Sequence, residues 1–199
     1  MKLSATTIPG AFVIEFESQG DERGYFGRTY CLETFRDAGA PFGTIRQTSI
    51  SFNKQRGTLR GMHFQIPPAE QIKLVSVLRG RVLDVVVDVR RGSPTFGKHI
   101  SIELSAESGR QLYVPVGFAH GFLTLEDDVT VMYKVSDFYA PAYDGGIRWD
   151  DPDVGVPWPI KHSDITLSDK DKRLPLLKGF DSPFVYDGIP LGMTAEDFE

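Results

Sequence analysis

Short runs in which apolar and polar residues alternate fill most of the first 140 positions. A chain patterned on a period of two folds as sheet, because successive side chains then leave opposite faces of a strand. In 98–104, Ile100, Ile102 and Leu104 alternate with Ser101 and Glu103, so one face is buried and the other wet. The run 81–89 (RVLDVVVDV) is almost continuously apolar, as a strand covered on both faces would be. Residues 74–78 lead through Arg79-Gly80 into that strand and read as a hairpin. Further strand runs are 12–17, 25–30, 45–52, Leu59–Gln65, Gln111–Val114, 121–125 and Val129–Val135. About ten strands, at roughly 8–12-residue spacing with turn signals between them, predict an all-β sandwich or barrel. One helix is expected, over 32–38 (LETFRDA), with Gly39 placed to end it.

From about residue 140 the pattern changes. Pro141, Gly145-Gly146, Asp150-Asp151-Pro152, Pro157-Trp158-Pro159 and Pro175 interrupt regular elements. We expect a long irregular segment packed across the β-body, with a short terminal helix near 194–198, and one domain over 1–199. The 199 residues suffice for a core without staples. A net charge of −5 argues against a general nucleic-acid or anionic-membrane binder. Cys31 is the single cysteine, so neither an internal disulfide framework nor a thiolate zinc site is available. No apolar run approaches the roughly 20 residues that span a bilayer, and the N-terminus lacks a stretch of signal-peptide length. A soluble cytoplasmic protein is expected.

The chemistry-bearing residues stand in a few settings. Among the four histidines, a structural role is the ordinary one in a strand-rich chain. His63 lies in Gly57-Thr-Leu-Arg-Gly-Met-His-Phe-Gln65, where alternation would put Arg60 and His63 on opposite faces; a bulge at Gly61 would restore a shared direction. His120 follows the turn Pro115-Val-Gly117. Tyr133 and Lys134 sit in an otherwise apolar strand, and an inward Lys73 would need a counter-charge or an anionic substrate. The local metal signature of β-barrels places two histidines one residue apart, and here Gln65 breaks it. Nucleotide-binding glycine loops and a Gly-x-Ser-x-Gly elbow are absent. Arg23, Arg28, Arg60 and Lys73 are candidates for phosphate contact, against the plainer reading of solvated strand-edge charges.

These segments, with Asp21-Glu-Arg-Gly-Tyr-Phe26, Ser93-Pro-Thr-Phe-Gly97, Val114-Pro-Val-Gly-Phe-Ala-His-Gly-Phe122, Gly146-Ile-Arg-Trp-Asp-Asp-Pro152 and Leu167-Ser-Asp-Lys-Asp171, resemble dTDP-4-dehydrorhamnose 3,5-epimerases. The resemblance runs in order over about residues 10–177. It implies a cupin-type jelly-roll, a homodimer, and catalysis without metal or organic cofactor. The implied substrate is a nucleotide-diphosphate 4-keto-6-deoxy sugar, epimerised at carbons 3 and 5 through an enolate. Such chemistry needs a base on one face, a cation or donor at the ketone oxygen and an acid on the other face.

By resemblance His63 is the base, Asp171 rather than Asp169 its carboxylate partner, Lys73 the enolate stabiliser with His120 nearby, and Tyr133 the acid. Arg23, Gln47, Arg60 and Lys170 match nucleotide-binding positions, and Tyr139 the aromatic that stacks on the base. Three positions depart from the family pattern: Arg28 replaces a glutamate, Ser49 an asparagine, and Asp144 a frequent glutamate. Arg28 and Ser49 match nucleotide contacts, so a CDP- or GDP-linked sugar is one alternative. Epimerisation at carbon 3 alone, a non-catalytic sugar-nucleotide-binding cupin and a metal-dependent cupin enzyme are the others.

Overall fold

The computed structural model describes residues 1–40, 42–186 and 188. In chain order its strands are β1 (Lys2–Ala5), β2 (Phe12–Glu15), β3 (Ser18–Asp21), β4 (Gly24–Gly27), β5 (Gln47–Asn53), β6 (Leu59–Gln65) and β7 (Lys73–Arg79). They continue with β8 (Arg81–Asp88), β9 (His99–Ser105), β10 (Gln111–Val114), β11 (Phe118–Thr124), β12 (Val129–Val135) and β13 (Asp144–Gly146). Two short helices, α1 (Leu32–Asp37) and α2 (Asp169–Lys172), complete the frame. One sheet has the order β1-β2-β10-β7-β12-β5 and the other β13-β6-β11-β8-β9, with β3-β4 a separate hairpin. The strand pairs within the sheets are antiparallel. This is the two-sheet arrangement of a cupin-type jelly-roll.

Alternation decides what lies between the sheets. From one sheet Val75, Val77, Leu112, Val129 and Val131 meet Val82, Val86, Phe118 and Phe122 of the other. The outer face of the smaller sheet is covered by the segment after residue 140: Ile147, Trp149, Trp158, Leu177 and Phe184 pack against Leu59, Met62, Phe64, Val85 and Leu123. That cover explains why β8 reads as continuously apolar. It lies inside its sheet, between β11 and β9, and is buried on both sides.

Several expectations are corrected. Residues 74–78 and 81–89 do not form a hairpin: β7 pairs with β10 and β12, while β8 pairs with β11 and β9. The single linking residue Gly80, at φ +78°, turns the chain from one sheet into the other. A Cβ there would come within 2.8 Å of Val129 Cγ2. The run 25–30 contracts to Gly24–Gly27, paired with Ser18–Asp21, whose polar residues carry no apolar period. Gly145-Gly146, expected to interrupt regular structure, belongs to β13, where small residues let the backbone approach β6; a Cβ on Gly146 would lie 2.2 Å from the Met62 carbonyl oxygen. The tail also contains α2. The expected helix near 194–198 lies outside the described residues. Among those described, no helix is long and apolar enough to cross a membrane.

Candidate active site

The inward faces of the two sheets are apolar at one end and polar at the other, and the polar end opens as a pocket of about 460 Å³. Its position follows from one bulge. On β6 Arg60 pairs with Phe122 and His63 with His120, so two residues of β6 face one of β11 between those pairs. The bulge falls at Gly61, the position the sequence offered for it, and turns both Arg60 and His63 into the pocket. Gly61 takes φ +135°, and a Cβ would meet Gly121 Cα at 2.5 Å. The two strands close only because both positions are glycine.

His63 Nε2 lies 2.7 Å from Asp171 Oδ1. Ser168 caps α2 by accepting the Asp171 backbone N–H at 3.1 Å, which fixes the carboxylate at the helix start, and the Gly61 N–H donates to Asp171 Oδ2 at 3.4 Å. Burial works to raise the Asp171 carboxyl, but hydrogen bonding and charge from His63, with the Gly61 and Ser168 bonds, hold it below the usual carboxylate range. Asp171 is therefore ionised at neutral pH. With Nε2 committed to it, Nδ1 is the His63 nitrogen left for chemistry.

Tyr133 enters from the opposite sheet, its ring edge-on to His120 with centroids 6.1 Å apart. Burial lifts its phenol well above the ordinary tyrosine value; the Asp84 charge adds to the rise and Arg60 opposes it. Lys73 extends from β7 and donates from Nζ to the His63 carbonyl at 3.2 Å. Burial lowers its pKa to about 8, while the charges of Asp144 and Asp84 favour the ammonium and Lys170 opposes it. His120 is buried, its Nε2 2.8 Å from Asp84 Oδ1.

At the pocket mouth Lys170 pairs with Asp144, and the Tyr139 hydroxyl donates to the same carboxylate at 3.0 Å. Tyr139 keeps 59% of its surface exposed, so its ring face is open to a planar partner. Gln47 accepts the Tyr139 backbone N–H at 2.6 Å, and Arg60, which lines the pocket, donates from Nε to Asn53 Oδ1 at 2.8 Å. Ser49 lines the wall on β5.

Eleven of the expected residues thus converge: His63, Lys73, Tyr133, Asp171, Gln47, Ser49, Arg60, His120, Tyr139, Asp144 and Lys170. Arg23 and Arg28 do not. Both are exposed on or just after the β3-β4 hairpin, where Arg23 pairs with Asp21. Ser51, Gln71 and Ser168 also line the pocket, and Asp84 lies behind its His120 wall; the sequence reading does not single out any of the four. The capping signal Ser-x-x-Asp over 168–171 was available for Ser168. Gln65, which broke the metal signature, pins the pocket's loops instead: its amide donates to the Ala69 and Phe138 carbonyls and accepts from the Ala140 N–H. Among the described residues no three His, Cys, Asp or Glu side chains converge as a metal site would.

Fold and pocket together define a class, the cupin-type jelly-roll proteins, and the comparisons place the chain among the isomerases of that class. The family model for dTDP-4-dehydrorhamnose 3,5-epimerase matches residues 5–179, and the chain belongs to that family. The dTDP-4-dehydrorhamnose 3,5-epimerase of Sinorhizobium fredii is 48% identical over 186 residues, covering 94% of each chain. The dTDP-6-deoxy-D-glucose-3,5-epimerase of Legionella pneumophila, solved with dTDP-4-keto-L-rhamnose, superposes with a TM-score of 0.87 at 37% identity, over 93% of this chain and 98% of that one. A 3′-monoepimerase from Streptomyces bikiniensis, solved with dTDP-quinovose, is also similar: TM-score 0.79, 40% identity, 87% and 86% coverage.

Proposed function

We propose that the protein epimerises carbons 3 and 5 of a dTDP-linked 4-keto-6-deoxyhexose, converting dTDP-4-dehydro-6-deoxyglucose to dTDP-4-dehydro-L-rhamnose. One observation carries this reading: the His63–Asp171 pair and Tyr133 rise from opposite sheets into one pocket, with the Lys73 ammonium lining it as well. His63 Nδ1 takes the proton from the carbon beside the ketone. The C–H electron pair moves into the ring, and the ketone oxygen becomes an enolate oxygen held by Lys73, with His120 beside it. Tyr133 returns a proton to that carbon from the opposite face, and solvent carries the His63 proton back to the phenolate. Arg60 and Lys170 hold the diphosphate, Gln47 and Ser49 line the nucleotide's path, Asp144 braces Lys170, and Tyr139 stacks on the base.

The test is proton NMR in heavy water with dTDP-4-keto-6-deoxyglucose. Signals at carbons 3 and 5 are both expected to vanish. Loss at carbon 3 alone would replace this reading with the single-site one, and no exchange at all would send the search to CDP- and GDP-linked sugars.

The protein works, in this reading, as a cytoplasmic homodimer. The free thiol of Cys31 suits a reducing compartment. Ile50, Met132, Ser76 and Gln111 form a row across four strands on the outer face of the larger sheet. Ile50 is 70% exposed, Phe52 and Leu78 lie exposed near it, and Ser76 Oγ and Gln111 Oε1 are buried without a hydrogen-bond partner among the described residues. A second copy would cover this face and bring its own hairpin, with Arg23 and Arg28, toward the pocket mouth. Sedimentation is expected to give twice the 22.2 kDa chain mass for the wild type and the single mass for Ile50→Glu. A monomeric, fully active wild type would refute the dimer.

A further inference from the structure

Asp84 stands between two valines on the inward face of its strand. Val82 and Val86 flank it on the inward side of β8, and Val77, Val131 and Phe122 pack in the same cluster. Keeping a carboxylate there carries a desolvation cost that valine or leucine would avoid. Asp88, on the same face, offsets that cost with charge-assisted bonds from Arg90 and hydroxyl bonds from Ser93 and Thr95. Asp84 has no such set. Its Oδ1 meets His120 Nε2, and its Oδ2 is buried with no hydrogen-bond partner among the described residues.

We propose that Asp84 is a positioning residue of the epimerase site, a single buried carboxylate that fixes the His120 ring and supplies the negative field beneath Lys73 and Tyr133. The proposal rests on the epimerase reading of the pocket. His120 stands directly across from His63 in the β11–β6 register, and with its Nε2 held by Asp84 its Nδ1 is left for a substrate oxygen. The field reaches further. The Asp84 charge favours the ammonium of Lys73 and the protonated phenol of Tyr133, the two states that enolate stabilisation and reprotonation require. Around Lys73, β6 presents the His63 carbonyl, β13 presents Asp144, α2 presents Lys170 in opposition, and His120 and Tyr133 line the same cavity from β11 and β12. Asp84 is the carboxylate that faces it from β8.

Asp84→Asn keeps the shape and removes the charge. Positioning residues of this kind change activity by about 10–100-fold, and we expect that loss in kcat with KM nearly unchanged. The pH profile gives the decisive readout. Lys73 acts as the ammonium, so activity falls as pH rises through its pKa; without Asp84 that pKa drops, and the alkaline limb of kcat moves to lower pH. A lower melting temperature with an unmoved limb would mean a structural role and overturn the proposal. If Asp84→Asn does not fold, His120→Gln retains the carboxylate and a donor for it. Its kcat should fall while its alkaline limb stays at the wild-type position, and a limb that moves in that variant overturns the proposal. A wild type that exchanges no substrate hydrogens overturns the epimerase reading and this inference with it.

Discussion

His63→Ala is expected to lower hydrogen exchange at carbon 3 and carbon 5 together, by about 10²–10⁴-fold, the range a positioned general base supplies. Both carbons flank one ketone, and His63 Nδ1 is the basic nitrogen backed by an ionised carboxylate. dTDP affinity should survive, because Arg60, Lys170 and Tyr139 at the mouth do not depend on the imidazole. Alanine also leaves Asp171, 3% exposed, with weaker partners, and a buried carboxylate stripped of its partner destabilises a fold. His63→Gln separates the two effects, since its amide N–H can reach the same carboxylate without offering a base. Loss of exchange in both variants, with dTDP bound at close to wild-type affinity by calorimetry, supports the assignment. Retained exchange in a folded His63→Gln protein would remove His63 as the base.

How much of this was legible in the sequence depends on the separation of the partners. The Gly61 bulge is a local matter: the three-residue offset between Arg60 and His63 shows where a bulge would bring them to one face, and the family resemblance supplied the reason to expect them there. The β6 and β12 boundaries likewise followed from alternation, because those strands have one polar and one buried face. The β7-β8 hairpin failed for the opposite reason: both strands are buried on two sides, and a continuous apolar run does not say which sheet it joins. Asp171 lies 108 positions from His63, and no periodicity connects them; the family resemblance made that pairing. Asp84 had a signal that went unused. A carboxylate inside a strand expected to be covered on both faces must have a partner, and the sequence could not show whether that partner was structural, as for Asp88, or in the site. Arg23 and Arg28 match nucleotide positions in the family yet sit outside their own chain's pocket, and under the proposed homodimer the hairpin that carries them would serve the partner's pocket mouth.

Tyr133→Phe should divide the reaction where His63→Ala stops it. Exchange of solvent deuterium into the substrate is expected to persist, because His63 Nδ1 can remove a proton and return a deuteron on its own face. Net inversion should fall by about 10²–10⁴-fold, since phenylalanine has no proton to deliver from the other sheet. The ring contacts with His120 and Phe122 remain, so the fold should tolerate the change. The pH dependence distinguishes this from a general disturbance of the pocket. Burial and the Asp84 charge hold the phenol protonated far above neutrality, so Tyr133 adds no limb in the working range. The alkaline limb belongs to Lys73, near pH 8, and should stay in place in Tyr133→Phe when exchange is followed. Equal loss of exchange and inversion would show that the hydroxyl serves the first proton transfer, and the acid would then have to be sought elsewhere on the pocket wall, with His120 the nearest candidate.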